Sequence, residues 1–334
     1  MQPNNSLIDY SRYVALCYHY LRQNKESDPF PRILGTNIDE FQNHIKMLQK
    51  NYHVISLKDA VSISTGEEDV FNKENTGVLL TFDDGLSDHY TAAKILSELG
   101  VSATFFVPTC ILDEQLPASP TIIHYALAVF GIERFLKEFR EILVNHKLDS
   151  KLFDLKYSKS KDNSWETISR IKSTFKYKLG YYESRSILLE IYENLFSSES
   201  KNMLKTMHLN ENEIRKMLEM GHNIGAHTHS HISVAGNELD PDTFTKEMVS
   251  PKNYLEQKFN TKINSFSYPF GGKDDYLPTS ELIKKTNEYD LGFTIEQILN
   301  TKNTPRFELG RYSVHSTDTS FKLNSIIQNI SNEN

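Results

Sequence analysis

The chain has 334 residues, 38% of them hydrophobic and 24% charged, a balance that fits a soluble globular protein the size of an α/β barrel. Its formal net charge of −7, with no run of Lys and Arg, excludes nucleic acid as a partner and attachment to an acidic membrane surface. Cys17 and Cys110 are too few for a disulfide framework and lack zinc-knuckle spacing; lying in or beside apolar runs, they read as buried thiols.

Residues 1–9 are mostly polar, and the first apolar run, 13–17, is too short for a signal-peptide core. No stretch reaches the length of a membrane span, so the expected location is the cytoplasm. Residues 13–18 read as a buried strand. From 37 to 49, Ile38, Phe41, Ile45 and Leu48 recur at helical spacing behind Asn37, a suitable N-cap. A short strand at 53–56 leads into a helix near Lys58. Residues 77–82 form a buried strand, 88–99 a helix closed by Gly100, and 101–107 the next strand. Strands alternating with helices predict a parallel α/β sheet or barrel.

The rhythm breaks between 111 and 208. Helical patterns at 122–130 and 132–143 and a polar, loop-like stretch at 159–164 read as a mostly helical insertion. The barrel then resumes: helix 211–220, strand 223–226, helix 242–259, strand 263–268, helix 280–287, strands 291–295 and 311–314, and a last helix at 320–330. On this reading residues 1–334 are a single barrel domain with 111–208 inserted in it.

Thr81-Phe82-Asp83-Asp84-Gly85 directly follows an apolar strand. Adjacent carboxylates at a strand end are costly to bury, because like charges repel and each loses hydration. Alternating strand directions and a turn at Gly85 aim them at different tasks: one ligates a metal, the other takes a proton from water. Asp-Gly is also surface-turn chemistry, so this motif alone does not decide. His227-Thr228-His229-Ser230-His231 follows another strand. Residues four apart share a face of a helical turn, which predicts that His227 and His231 converge on one ion while His229 points elsewhere. With Asp84 they make a two-histidine, one-carboxylate set, used by catalytic zinc sites and by non-haem iron oxygenases alike. Asp83 favours hydrolysis, which needs a base, over oxygenation, which does not. A third reading, an inert carbohydrate-binding relative, would show a lost base or ligand, and none is lost.

These two motifs resemble the first signatures of the polysaccharide deacetylase superfamily (carbohydrate esterase family four). The segment Glu213 to His222 resembles the helix and Gly-His turn before the histidine motif, and Phe266-Ser267-Tyr268-Pro269-Phe270-Gly271 resembles the third motif in aromatic form. The resemblance covers residues 13–108 and 208–330. It implies a distorted (β/α) barrel with fewer than eight strands that removes an N-acyl group, above all N-acetyl, from an amino sugar. It also implies Asp83 as general base, Asp84, His227 and His231 as ligands of zinc or a similar divalent ion, and the backbone N–H of Phe270 as an oxyanion donor. An arginine that many members carry two residues before the motif-three proline is replaced by Ser267, and Arg311 is the candidate substitute.

Leu16-Cys17-Tyr18-His19, with Phe41, His44 and Val54-Ile55-Ser56-Leu57 downstream, resembles the branch of bacterial poly-N-acetylglucosamine deacetylases. That context makes His19 the expected general acid, ahead of His315, which follows Ser313 where the family carries leucine. With no export signal in the sequence, the expected substrate is a cytoplasmic intermediate, such as a nucleotide-linked or lipid-linked N-acyl sugar, rather than a finished wall polymer. N-formyl or longer acyl groups are left open, and the insertion over the barrel's C-terminal face shapes that choice.

Overall fold

The computed structural model describes residues 11–24, 26–66, 75–149, 163–237 and 239–332. The polar stretch 1–9 and residues 159–162 of the loop-like stretch lie outside them. The strands are β1 (Arg12–Tyr18), β2 (Leu21–Arg22), β3 (Thr36–Asn37), β4 (His53–Ile55), β5 (Gly77–Phe82), β6 (Thr104–Val107), β7 (Asn223–Ala226), β8 (Ser265–Ser267), β9 (Leu291–Phe293), β10 (Asn300–Thr301) and β11 (Tyr312–Ser313).

One sheet runs β10-β1-β5-β6-β7-β8-β9, with β11 also on β1 and β4 also on β5. The strands β11, β1, β5, β6, β7, β8 and β9 pair in parallel, and the sheet curls far enough for Leu309, just before β11, to bridge Phe293 of β9. β4 and β10 pair only with the N-terminal parts of β5 and β1. The C-terminal rim is therefore a distorted barrel with fewer than eight strands, as the sequence predicts.

Every residue of β5 is buried, as a central parallel strand covered on both faces requires. The period of two sorts its side chains. Val78, Leu80 and Phe82 join Val14, Leu16 and Tyr18 of β1 in the large core under the helices. Leu79 joins Tyr13, Ala15, Phe106 and Phe293 in a second, smaller cluster, which fills the barrel interior. Continued past Leu79, the inward set is Thr81 and then Asp83. On β7 and β8 the same alternation, with Ala226 and Phe266 in the outer core, turns Gly225, Ser265 and Ser267 inward.

Local chemistry fixes the helices. Asn37 caps Ile38–Asn51 by accepting from the Asp39 N–H, and Ser56 with Asp59 makes a capping box on Leu57–Thr65. Asn210 and Glu213 do the same for Glu211–Glu219. The expected helices 122–130 and 132–143 form one element, Ser119–Asn145, kinked at Gly131 (φ 77°). Further helices at Asn163–Ser173, Tyr181–Phe196 and Ser200–Met207 follow, and with Ser119–Asn145 they supply most of a separate apolar cluster. The expected helix 242–259 is interrupted by a π-helical turn at Thr245–Val249. The expected 280–287 helix begins earlier, at Lys273, with Pro278 inside it. The strand expected at 101–107 pairs only from Thr104. Both cysteines are free and buried. No helix among the described residues is long and apolar enough to cross a membrane.

Gly225 shows how tightly the interior is packed: a Cβ there would lie 2.4 Å from Phe106 ring atoms and 3.0 Å from the Ser265 carbonyl. Gly225→Ala is expected to cost about 1–3 kcal/mol through overpacking, read as a lower urea midpoint at unchanged slope. An unchanged midpoint would show that β7 is free to move away from its neighbours.

Candidate active site and metal centre

The two sequence motifs meet at the C-terminal rim. Asp84 Oδ1 lies 3.2 Å from His227 Nε2 and 2.9 Å from His231 Nε2, and all three residues are buried. Their ligand atoms lie within 4.8 Å of one another. The expected reason for the convergence is corrected: residues 227–231 form no helical turn. Left-handed backbone at Thr228 (φ 57°) and His231 (φ 61°) folds the loop back instead, and the Thr228 hydroxyl accepts from the N–H groups of His231 and Ile232. Asp84 is itself left-handed (φ 81°), which turns its carboxylate away from the direction of Asp83.

The donor set fits a divalent cation. The carbonyl of Ser267 lies 2.9 Å from His227 Nδ1 and accepts its proton in a hydrogen bond, so that Nε2 is the nitrogen turned to Asp84. Buried Asp84 Oδ1 accepts no hydrogen bond despite its closeness to both imidazoles, an orphaned acceptor that a shared ion would satisfy. Burial works against ionising Asp84, but His231 and His227 hold its carboxyl well below the usual range.

Asp83 faces a different partner. Arg311 Nη1 donates to its Oδ1 at 2.8 Å and Nη2 to its Oδ2 at 2.7 Å, a bidentate pair with almost no exposed surface. Ser267, in the place of the family's arginine, donates to Oδ2 at 2.9 Å. Burial alone would raise the Asp83 pKa; Arg311, followed by His227, drives it well below the usual carboxylate range.

His19 lines the same cavity and stands beside Asp83 and Cys17, the ligand-type atoms of the three lying within 4.8 Å of one another. That trio makes a poor second metal site, because burial raises the Cys17 thiol pKa far above its ordinary value and Arg311 already balances the charge of Asp83. His315 is exposed, packs edge-on against Tyr312, and does not line the cavity. Phe270 reaches the cavity wall with its ring edge-on to His231, and its N–H makes no hydrogen bond among the described residues.

His229 points away as expected, to Thr109 at 2.9 Å and Glu114 at 3.0 Å. Sequence reasoning missed Glu247. Fully buried, it accepts from the backbone N–H of His229 and Ser230, from the Ser230 hydroxyl and from the Tyr181 hydroxyl. It thus pins the histidine loop to the inserted helices. His208 also went unassigned: it meets the Gly85 carbonyl at 3.3 Å and Thr121 at 2.9 Å, linking the aspartate turn to the insertion.

Glu247→Ala leaves the Ser230 N–H and hydroxyl without their carboxylate, while the His229 N–H keeps the backbone carbonyl of residue 247. It is expected to weaken divalent-ion binding by about 10–100-fold, as loss of outer-shell support does elsewhere. Competition against a chromophoric chelator measures this, with thermal unfolding as the control for folding. Unaltered affinity in a folded variant would remove Glu247 from the account.

Residues 194–289, which include His227, His231 and Phe270, match the polysaccharide deacetylase family model. None of the curated proteins matches the sequence. Among solved structures, the deacetylase PplD of Streptococcus pyogenes, in complex with acetate, is similar with a TM-score of 0.57 at 17% identity, covering 95% of this chain and 98% of that one. IcaB from Ammonifex degensii gives 0.56 at 17% identity, covering 97% and 100%. A polysaccharide deacetylase from Bacillus cereus gives 0.55 at 16%, covering 95% of this chain and 69% of its own. Asp83 and Asp84 lie outside the matched segment, and the fold brings them to it. The segment 194–289 is thus similar to the polysaccharide deacetylase family, and the chain shares its fold with these solved deacetylases.

Proposed function

We propose that the chain is a metal-dependent N-deacetylase of an N-acetylated amino sugar, with Asp84, His227 and His231 as ligands of zinc or a similar divalent ion. The observation that carries this reading is the pair of adjacent aspartates with separate partners, one set toward two imidazoles and the other toward a guanidinium. Two imidazoles and a carboxylate suit zinc and leave coordination positions for water and substrate.

A divalent ion bound there supplies Lewis acidity toward the amide carbonyl and toward water. Asp83 accepts the proton of the attacking water. Arg311 keeps it ionised and fixes its plane, so it is always in the accepting form and already oriented. The Phe270 N–H donates to the oxygen that gains charge as the carbonyl carbon becomes tetrahedral. His19, beside Asp83, delivers a proton to the departing nitrogen, without which the adduct would revert. Ser267 works twice, its hydroxyl on the base and its carbonyl on a ligand histidine.

Acetate release from an N-acetylglucosamine oligomer tests the proposal. Asp83→Asn is expected to keep the ion and lose about 10²–10⁴ in turnover, whereas Asp84→Ala loses the ion. The opposite pattern would exchange the two roles. His19→Ala should lower turnover by about 10²–10⁴ with metal content unchanged, and His315→Ala by less than about twofold. Near-normal turnover of the His19 variant would take the acid role away from it.

A further inference from the structure

The cavity over the metal ligands has a volume of about 480 Å³, and the inserted helices form its outer wall. Ser169, Lys172 and Ser173 line it from the helix Asn163–Ser173, and Lys176 from the π-helical turn that continues it. Spacings of three, four and seven residues put these four on one helical face, turned toward the site.

The cations on this wall differ in what holds them. Lys176 pairs with buried Asp275 at 2.8 Å and lies over the Phe270 ring. Arg185 donates to the Pro117 carbonyl and lies 3.6 Å from Glu114. Lys172 has no carboxylate, carbonyl or aromatic partner among the described residues. Lys172 keeps exposed surface at the mouth of the cavity, and the carboxylate that acts on its charge is Asp84, which also lines the cavity. A divalent ion on Asp84 would cancel that attraction. Asp83 offers no replacement, because Arg311 already balances it. The cavity would then be positive at both ends, an arrangement that favours an anionic occupant.

We infer that Lys172, with the hydroxyls of Ser169 and Ser173, binds a phosphoryl group carried by the amino-sugar substrate. An ammonium with three rotatable donors, flanked by two hydroxyls, meets a phosphate's spread of oxygens as a point charge with added hydrogen bonds. The sugar's identity and the ion at Asp84 rest on the deacetylase reading; the placing of Lys172, Ser169 and Ser173 on one wall of the cavity does not. A sugar 1-phosphate, a nucleoside-diphosphate sugar and an isoprenyl-diphosphate sugar all present this group next to the acetamido ring.

Calorimetric titration of the full chain with N-acetylglucosamine 1-phosphate, its uridine-diphosphate form, its short isoprenyl-diphosphate form and the neutral methyl glycoside tests the inference. Wild type is expected to bind at least one phosphorylated form about tenfold or more tightly than the neutral one, and the tightest of the three identifies the source. Lys172→Ala should bring that ratio to about one, while Lys172→Arg keeps most of it and shows that the wall remains folded. Equal wild-type affinity for the phosphorylated and neutral sugars, or a preference that survives Lys172→Ala, would overturn the inference. Acetate release is followed in parallel. Phosphate discrimination without acetate release would support the subsite and reject the deacetylase reading; release without discrimination would do the reverse.

Discussion

A guanidinium sealed inside a barrel has to find an acceptor for every donor it carries. Arg311 does so: Nε donates to the Thr294 carbonyl, Nη1 to Thr81 and Asp83, and Nη2 to Asp83 and Ser267. All five N–H donors of the fork are used. The partners come from β5, from β8 and from the residue after β9, so one side chain ties together strands far apart in sequence. Removing one member of such a buried pair leaves an unpaired charge, typically at a cost of about 3–5 kcal/mol. The same interaction keeps Asp83 ionised, which a proton acceptor requires. Stability of the barrel and the ionised state of Asp83 are therefore set by one contact.

The second aspartate depends on the first. With Asp83 held by Arg311, the left-handed backbone at Asp84 and Gly85 turns the next carboxylate to the histidine loop. That loop is in turn fixed by the buried carboxylate of Glu247 and, through Tyr181, by the insertion. The two aspartates, the two histidines and the cavity wall thus form one assembly running from the barrel interior to the helix Tyr181–Phe196.

The strands that carry the motifs were legible because a buried parallel strand is an unbroken apolar run that stops where polar residues begin, as at Phe82 and Ala226. The motif residues themselves were legible as chemistry that strand ends rarely hold by accident. Other parts followed from geometry that leaves no periodic trace. His227 and His231 converge through two left-handed residues, so helical spacing gave the right pair for the wrong reason. Arg311 could be named only because Ser267 stood where an arginine was expected. Glu247 lies within a helical stretch, where a glutamate ordinarily faces solvent. The π-helical turn at Thr245–Val249 adds a residue to the turn, and no composition signal announces it. Lys172 reads in the sequence as one more solvated lysine, and only the fold shows that it lines the cavity.

The central claim is that the aspartate and two histidines hold an ion on which amide hydrolysis depends. Its most direct test strips the protein with a chelator and returns zinc in sub-stoichiometric steps while acetate release from an N-acetylglucosamine oligomer is followed. The account predicts no release from the stripped protein and a linear rise with added zinc that ends at one ion per chain. Full activity in the stripped protein, or a rise that Asp84→Ala reproduces, would contradict it.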